Sequence, residues 1–145
     1  IRDDGPTLYD SRVICRFLDH RAQAGLYPEI RQFDALTLEA TADGIMDAAV
    51  LIVYEERFRP ADKVSMEWIE GQWAKVSRAL DAVSTRWMSH LHGRIDMGHI
   101  AMACALSYLD FRHDARKWRT GRDALAEWHA GFAARPSMIA TEPDT

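Results

Sequence analysis

The amino-acid sequence predicts an all-α fold, a bundle of long helices that is preceded by one short strand and one helix. Apolar residues recur in alternating steps of three and four along most of the chain after residue 30, which is typical of helices with one buried face. The alternation of apolar and polar residues that marks half-buried strands is nearly absent there. A sheet beyond residue 30 would therefore contradict the predicted fold class.

The first 20 residues differ from the rest of the chain. Residues 4–6, Asp-Gly-Pro, are turn-forming, and the run Thr7–Tyr9 after them is short and β-prone. A helix is predicted to start at about Ser11. Because a strand needs partners and nothing after residue 20 supplies a sheet, we expect those partners upstream of Ile1 or in another chain. We therefore interpret the sequence as part of a longer protein.

Four further helices are predicted after a connector at Pro28, because the residue before a proline is pushed out of helical geometry. The first, over about 29–57, carries a stripe whose members are spaced by three and four residues: Phe33, Leu36, Ala40, Asp43, Asp47, Val50 and Tyr54. The second spans about 65–87. The third, 97–111, is apolar on nearly every side, which predicts a central position in the bundle. The last ends before Pro136.

Composition and charge exclude several classes of function. The chain has 145 residues and 48% hydrophobic content, enough for one helical core. Its 18 basic and 22 acidic residues give a net charge of -4, so we predict no nucleic-acid partner and no membrane partner. No apolar run approaches the roughly 20 residues of a membrane span. Cys15 and Cys104 form no disulfide framework, so we interpret them as small buried side chains of a cytoplasmic protein.

Several short motifs, in order along the chain, resemble the glutathione S-transferase superfamily. Asp10-Ser11 followed by ICRFL resembles the acidic residue, serine and I-x-x-[YF]-L run at the end of that family's first domain. The segment GRIDMGHIAMACALSYLDFR is similar to the start of its buried core helix. The closing L-x-x-W, R-P-S and T-x-P patterns are also present, from Leu125 to Pro143. The segments ADGIMDAAV and RFRP further resemble a bacterial branch of the superfamily.

The resemblance implies two domains. Residues 1–27 would be the end of a thioredoxin-like domain, and residues 28–145 the complete helical domain. The implied function is an enzyme that activates the thiol of glutathione and conjugates or exchanges the thiolate on an apolar, electrophilic small molecule. The family places the thiol-activating Ser, Cys or Tyr near its N-terminus, so no residue here is assigned as the catalyst. The alternative is a non-catalytic member that uses the bundle for dimerisation or protein binding.

The resemblance also implies residues that bind glutathione. Asp10 and Ser11 would hold its γ-glutamyl end, although Ser11 can instead be only a helix cap. Asp43 and Asp47 lie one turn apart on one helix face and can bind a cation, contact a partner chain or face water. Magnesium or calcium would need more oxygen ligands than these two residues offer, so no metal site is predicted. Family members are usually homodimers around this helix. Asp43 is then the better match for an acid that reaches the amine of the neighbour's glutathione.

The remaining candidates are aromatic, methionine and histidine side chains. Tyr54, Tyr108 and Met102 lie on the two helices from which the family builds its co-substrate pocket, and we assign Tyr54 and Tyr108 to that pocket, with plain core packing as the alternative.

The start of the core helix departs from the family's capping box. Asp96 and His99 occupy the two positions, and we expect a weaker return bond from the histidine, which accepts only in one tautomer. His90 and His92 form an H-x-H pair without further ligands, so we interpret them as exposed loop histidines.

Overall fold

The computed structural model describes residues 5–143, which contain seven α-helices. In chain order these are α1 (Ser11–Ala22), α2 (Gln32–Phe58), α3 (Met66–Arg86), α4 (Met88–Leu91), α5 (Met97–His113), α6 (Asp123–Ala133) and α7 (Pro136–Ile139). Short 3-10 helices lie at Glu29–Arg31, Ala61–Lys63 and Asp114–Arg116. The predicted bundle after residue 30 is confirmed.

The strand predicted at Thr7–Tyr9 is wrong for this chain. No strand is present anywhere between residues 5 and 143, and the segment before α1 has no regular secondary structure. A strand exists only through hydrogen bonds to a neighbouring strand, and the described part of the chain offers none. Asp4, the first residue of the predicted turn, lies outside the described residues.

Side chains cap three helices at positions that the sequence indicates. Asp10 accepts a hydrogen bond from the Arg12 amide at 3.3 Å, at the start of α1. The Ser65 hydroxyl accepts from the Trp68 amide at 3.2 Å, at the start of α3. Asp96 caps α5. These contacts span two or three residues, which is why sequence spacing alone predicted where the helices begin.

The core forms around α5, which packs most extensively against α2, while α2 also packs against α3. The largest side chains with less than 2% exposure include Leu38, Ile45, Ile69, Leu80, Leu106, Leu109, Trp118 and Leu125. Met102 on α5 is also fully buried in this core, so it does not face a ligand pocket. None of the described helices is both long enough and apolar enough to span a membrane.

The stripe predicted on α2 lies on its outer side. Phe33 is 79% exposed and Tyr54 is 55% exposed. The buried face carries Leu38 and Ile45 together with small residues such as Ala49, which let the backbone of α5 approach closely. The outer face of α2 is therefore available to another chain or domain.

The start of α5 differs from our expectation for its histidines. Both bonds of the capping box are present: the His99 amide donates to Asp96 Oδ1 at 3.4 Å, and the Asp96 amide donates to His99 Nδ1 at 3.2 Å. The return bond is thus no longer than the forward one. His90 is not an exposed loop residue, since its side chain is only 10% exposed and its Nε2 lies 2.8 Å from Asp96 Oδ2. His92 is exposed, as predicted.

Candidate functional site

The first turn of α1 presents an open serine hydroxyl. Ser11 is the first residue of the helix, and Asp10 before it is the N-cap. The alternative that Ser11 serves only as the cap is therefore wrong. Its side chain is exposed, and its hydroxyl has no hydrogen-bond partner within residues 5–143. The Arg12 and Val13 amides already donate to Asp10, so the hydroxyl and the backbone N–H of Ser11 are the donors of this turn that remain for a carboxylate.

Asp43 on α2 lies beside this helix start. Its Oδ2 is 2.8 Å from Arg12 Nε, which joins the first turn of α1 to the middle of α2. That oxygen is buried without a well-directed hydrogen bond. Burial raises the pKa of Asp43, Arg12 lowers it, and the negative charges of Asp47 and Asp10 raise it further. The carboxylate is thus only partly compensated, and a second cation beside it would be favourable.

One turn earlier on α2, a buried carboxylate meets a tyrosine. Tyr27 donates its hydroxyl hydrogen to Glu39 Oε1 at 2.8 Å, and the Arg16 guanidinium lies 5.5 Å from the Tyr27 ring centre. Glu39 is only 4% exposed, and burial raises its pKa although the Tyr27 bond lowers it. Burial and the bond to Glu39 raise the pKa of Tyr27 well above its ordinary range. This pair pins the connector before Pro28 to α2.

A cavity of about 490 Å³ opens between α2, α5, α6 and the C-terminal segment. Its lining includes Met46, Cys104, Ser107, Tyr108, Phe111, His129 and Met138. Most of this lining is apolar, and the polar atoms come mainly from α5 and α6. Met46 follows Asp43 by three residues on α2, so the cavity and the start of α1 lie on neighbouring turns of that helix.

The predicted pocket residue Tyr108 lines this cavity. Its hydroxyl has no hydrogen-bond partner within residues 5–143, so it is free to donate to a ligand. Burial raises the pKa of Tyr108, Arg112 opposes this rise, and Tyr54 adds to it. The phenol is therefore protonated at neutral pH.

Ser107 and His129 meet at the wall of the cavity. Ser107 Oγ lies 3.0 Å from His129 Nε2, and Arg119 Nη2 lies 3.5 Å from His129 Nδ1. Arg119 can donate to Nδ1 when Nε2 carries the ring hydrogen, whereas Asp110 Oδ2, 3.7 Å from Nδ1, favours the opposite tautomer. Burial lowers the pKa of His129, despite the nearby Asp110 carboxylate.

The structure does not bring Tyr54 into the same cavity. Tyr54 packs edge-on against Phe58, with ring centres 5.4 Å apart, and borders a separate shallow depression with Leu51 and Trp68. This depression lies on the outer side of α2, near its C-terminal end. The pocket role predicted for Tyr54 stays a prediction.

The two cysteines are less buried than expected. Cys104 is exposed at the cavity, which contradicts the prediction of a buried side chain, and Cys15 is half-buried on α1. The surrounding protein nevertheless raises the pKa of both thiols by desolvation, and the acidic Glu39 and Asp43 add to the rise at Cys15. Both cysteines are therefore protonated and weakly nucleophilic at neutral pH.

Comparison with known proteins decides the family. The family model of the glutathione S-transferase C-terminal domain matches residues 66–131. The GST-like protein YibF of Escherichia coli K12 is 30% identical over 148 residues, which cover 99% of this chain and 73% of YibF. The chain belongs to the glutathione S-transferase superfamily.

Solved structures of other superfamily members share this transferase fold. A glutathione transferase family member from Pseudomonas fluorescens Pf-5, with bound S-(propanoic acid)-glutathione, is 41% identical with a TM-score of 0.94, and the match covers 99% of this chain and 75% of that one. A glutathione S-transferase from Methylobacillus flagellatus KT, with glutathione bound, is 35% identical with a TM-score of 0.91, covering 99% and 74%. One from Methylobacterium radiotolerans JCM 2831, in complex with glutathione sulfonate, is 26% identical with a TM-score of 0.82, covering 100% and 71%.

Sequence reasoning missed the partners of several residues in this superfamily member. Arg12 was not predicted to face Asp43, because the two are 31 positions apart and meet only when α1 packs on α2. His129 was likewise missed as the partner of Ser107. One local signal was available: Ser107 precedes Asp110 by three residues on the central helix, which puts two polar groups on one face.

Proposed function

We propose that this chain supplies the γ-glutamyl anchor and the co-substrate pocket of a glutathione transferase. Residues 1–27 are the end of a thioredoxin-like domain, and residues 28–145 are the helical domain. The supporting observation is the unpartnered Ser11 hydroxyl in the first turn of α1. Arg12 of the same turn contacts Asp43 on α2, one turn of that helix before Met46 at the cavity.

The γ-glutamyl carboxylate of glutathione binds at the first turn of α1. Ser11 donates its hydroxyl hydrogen and its backbone N–H, while the positive end of the helix dipole favours the negative charge. Asp10 holds the turn in place as its cap and lies near the ligand's amino group. Support comes from the relatives from Pseudomonas and Methylobacillus, which were solved with glutathione or a derivative bound.

Asp43 receives the glutathione ammonium group across a two-fold interface. The protein is a homodimer around α2, whose outer face exposes Phe33 and Tyr54. Asp43 Oδ2 is buried and meets Arg12 without a directed hydrogen bond, so an ammonium donor improves its compensation. Helix α2 thus forms the dimer interface and also completes the glutathione site of the neighbouring subunit.

The cavity holds an apolar electrophile next to the glutathione sulfur. A Ser, Cys or Tyr upstream of this chain donates a hydrogen bond that lowers the thiol pKa, so that the thiol proton passes to solvent. The thiolate then forms the carbon–sulfur bond, either with expulsion of a leaving group, such as the halide of an aryl halide, or by addition to the double bond of an enone, whose α carbon takes up a proton from water. Tyr108, protonated and without a partner, donates to an oxygen of the electrophile. Tyr54 covers the outer side of the site. The glutathione derivative bound to the Pseudomonas relative carries its substituent on sulfur, which supports this arrangement.

The second candidate function is a non-catalytic module for dimerisation or protein binding. The observation that favours it is the exposed apolar surface at the end of α2, where Phe58 is 72% exposed and the neighbouring Met66 and Trp68 are 60% and 48% exposed. Steady-state conjugation by the full-length protein, assayed with a chromogenic aryl halide and with an enone, separates the two candidates. Turnover supports the enzyme. The 145-residue chain alone is expected to give none, since the thiol-activating residue is assigned upstream.

Glutathione titration calorimetry on the full-length protein tests the anchor. Ser11→Ala is expected to raise the Kd for glutathione about ten- to a hundredfold, because it removes one hydrogen bond to a charged group worth about 1.5–3 kcal/mol. Ser65→Ala is the matched control: it removes a helix-start serine that caps α3, lowers stability by about 1 kcal/mol and leaves the Kd unchanged. Equal glutathione affinity of the Ser11→Ala and Ser65→Ala variants would refute the role of Ser11 as the γ-glutamyl anchor. No glutathione binding by the wild type would refute the proposed function itself.

A further inference from the structure

The start of α5 contains a compact group of metal-ligand side chains that the proposed transferase function does not use. His90, Asp96 and His99 place one ligand atom each within 4.8 Å of the others, and within residues 5–143 they are the one such group of three histidine, cysteine or acidic residues. Asp96 and His99 are at most 1% exposed. They bring together α4, the connector after it and the first turn of α5.

The hydrogen bonds fix which nitrogen of His99 faces the carboxylate. His99 Nε2 lies 3.1 Å from the carbonyl oxygen of His90, and since a carbonyl only accepts, Nε2 carries a hydrogen. Nδ1 then points at Asp96 Oδ1, 2.8 Å away. A histidine that donates one ring N–H to a backbone carbonyl and turns the other nitrogen toward a carboxylate has the orientation of metal-bound histidines.

One of the two short contacts around Asp96 places electron-rich atoms together. With the ring hydrogen on Nε2, His99 Nδ1 accepts from the Asp96 amide and also faces Asp96 Oδ1, so positive charge beside these atoms is favourable, whereas a neutral His90 can donate Nε2–H to Oδ2. Asp96 Oδ1 meets His99 Nδ1, and Asp96 Oδ2 meets His90 Nε2, each at 2.8 Å. Either protons or a metal ion can supply that charge. Zinc bonds of about 2.0–2.2 Å in tetrahedral geometry hold ligand atoms about 3.3 Å apart, so each of these two contacts with Asp96 needs to open by only roughly half an ångström.

From this geometry we propose that His90, Asp96 and His99 bind a divalent transition-metal ion, zinc by the chemistry of the ligands. Two imidazoles and one carboxylate are the donors that zinc favours over magnesium or calcium. The ion replaces the protons between the ligand atoms, and a water takes the fourth position past the partly exposed edge of His90. Bound there, the metal ties α4 and the connector to the central helix and stabilises the bundle. The sequence pair H-x-H is not the site, because His92 is exposed and lies outside the group.

Zinc titration tests the proposal on the metal-free 145-residue chain, without glutathione, against a chromogenic zinc indicator. The wild type is expected to bind one equivalent of zinc and to gain melting temperature with zinc concentration. His90→Gln should lose affinity about tenfold or more, whereas His92→Gln, the matched control, should bind as the wild type does. Equal affinity of the His90→Gln variant and the wild type, or no stoichiometric binding, overturns the site.

A measurement on the unchanged protein covers the case in which His90→Gln does not fold. Histidine side-chain nitrogen resonances, followed by NMR during zinc addition, should shift for His90 and His99. Those of His20 and His92, which are exposed, should stay in place. Shifts confined to other histidines, or no shifts, would assign the metal elsewhere and refute the proposal.

Discussion

Replacing Gly98 by alanine tests the close contact between α2 and α5 on which the core and the cavity depend. Gly98 is buried at the start of α5, and a Cβ atom there would lie 2.8 Å from Leu38 Cβ and 3.0 Å from the Ala35 carbonyl oxygen. Both distances are far below ordinary van der Waals contact. The carbonyl belongs to the backbone of α2, so the strain is relieved only if the two helices move apart.

We expect Gly98→Ala to lower the free energy of unfolding by about 1–3 kcal/mol, the usual cost of overpacking a core. Alanine gains about 1 kcal/mol over glycine inside a helix, but Gly98 is the second residue of α5, where this gain is smaller. Gly44→Ala is the matched control. Gly44 is exposed in the middle of α2 with nothing within 4 Å of its added Cβ, so that variant should be about 0.5–1 kcal/mol more stable. The same glycine-to-alanine substitution is thus expected to lower the free energy of unfolding at position 98 and to raise it at position 44.

Urea unfolding, followed by circular dichroism, measures both variants. The transition midpoints are expected to move in opposite directions with unchanged m values, because the area exposed on unfolding stays the same. A Gly98→Ala variant as stable as the Gly44→Ala variant would refute the close approach of α2 and α5. A changed m value would instead show that the native or unfolded state had itself altered in compactness.

Three other predictions concern pH, a buried guanidinium and assembly. His113 donates Nε2–H to the Ala49 carbonyl at 3.0 Å and burial lowers its pKa, so the folded state favours the neutral ring. The free energy of unfolding should therefore fall as the pH drops below the histidine pKa of the unfolded chain, about 6.5. Urea unfolding at pH 7.5 and 5.5 should show a less steep fall in His113→Gln. An equally steep fall in that variant would contradict the assignment. Arg122→Lys should lower the free energy of unfolding by about 1–2 kcal/mol in the same assay, because lysine cannot reach both the Trp118 carbonyl and the Ser77 hydroxyl on α3, which Arg122 bridges. Arg116→Lys, the control at a more exposed ion pair, should cost under about 1 kcal/mol. Equal losses in the two variants would contradict this reasoning. Sedimentation of the full-length protein at micromolar concentration should show a homodimer. A monomer would contradict both the proposed interface around α2 and the role proposed for Asp43.

Helix positions could be predicted from the sequence because their signals are local. Apolar patterning predicted the extents of α3 and α5, and the helix starts predicted near Ser11 and residue 65 coincide with side-chain caps at Asp10 and Ser65. Proline marked the ends of α2 and α6 in the same way. Each of these effects acts within about four residues, which is the reach of a helical hydrogen bond. The strand expected at Thr7–Tyr9 was wrong because strand formation depends on a partner distant in sequence.

The sequence by itself therefore determined the all-α bundle and, by resemblance, the superfamily. Only the tertiary structure decided what the polar side chains do. In the folded chain Asp43 pairs with Arg12, and His90 is buried against Asp96. Asp10 caps α1, so the Ser11 hydroxyl is left without a partner among the described residues. The physical reason is that a helical stripe or cap is fixed by neighbours along the chain, whereas the partner and the solvent exposure of a charged group depend on which helices pack beside it.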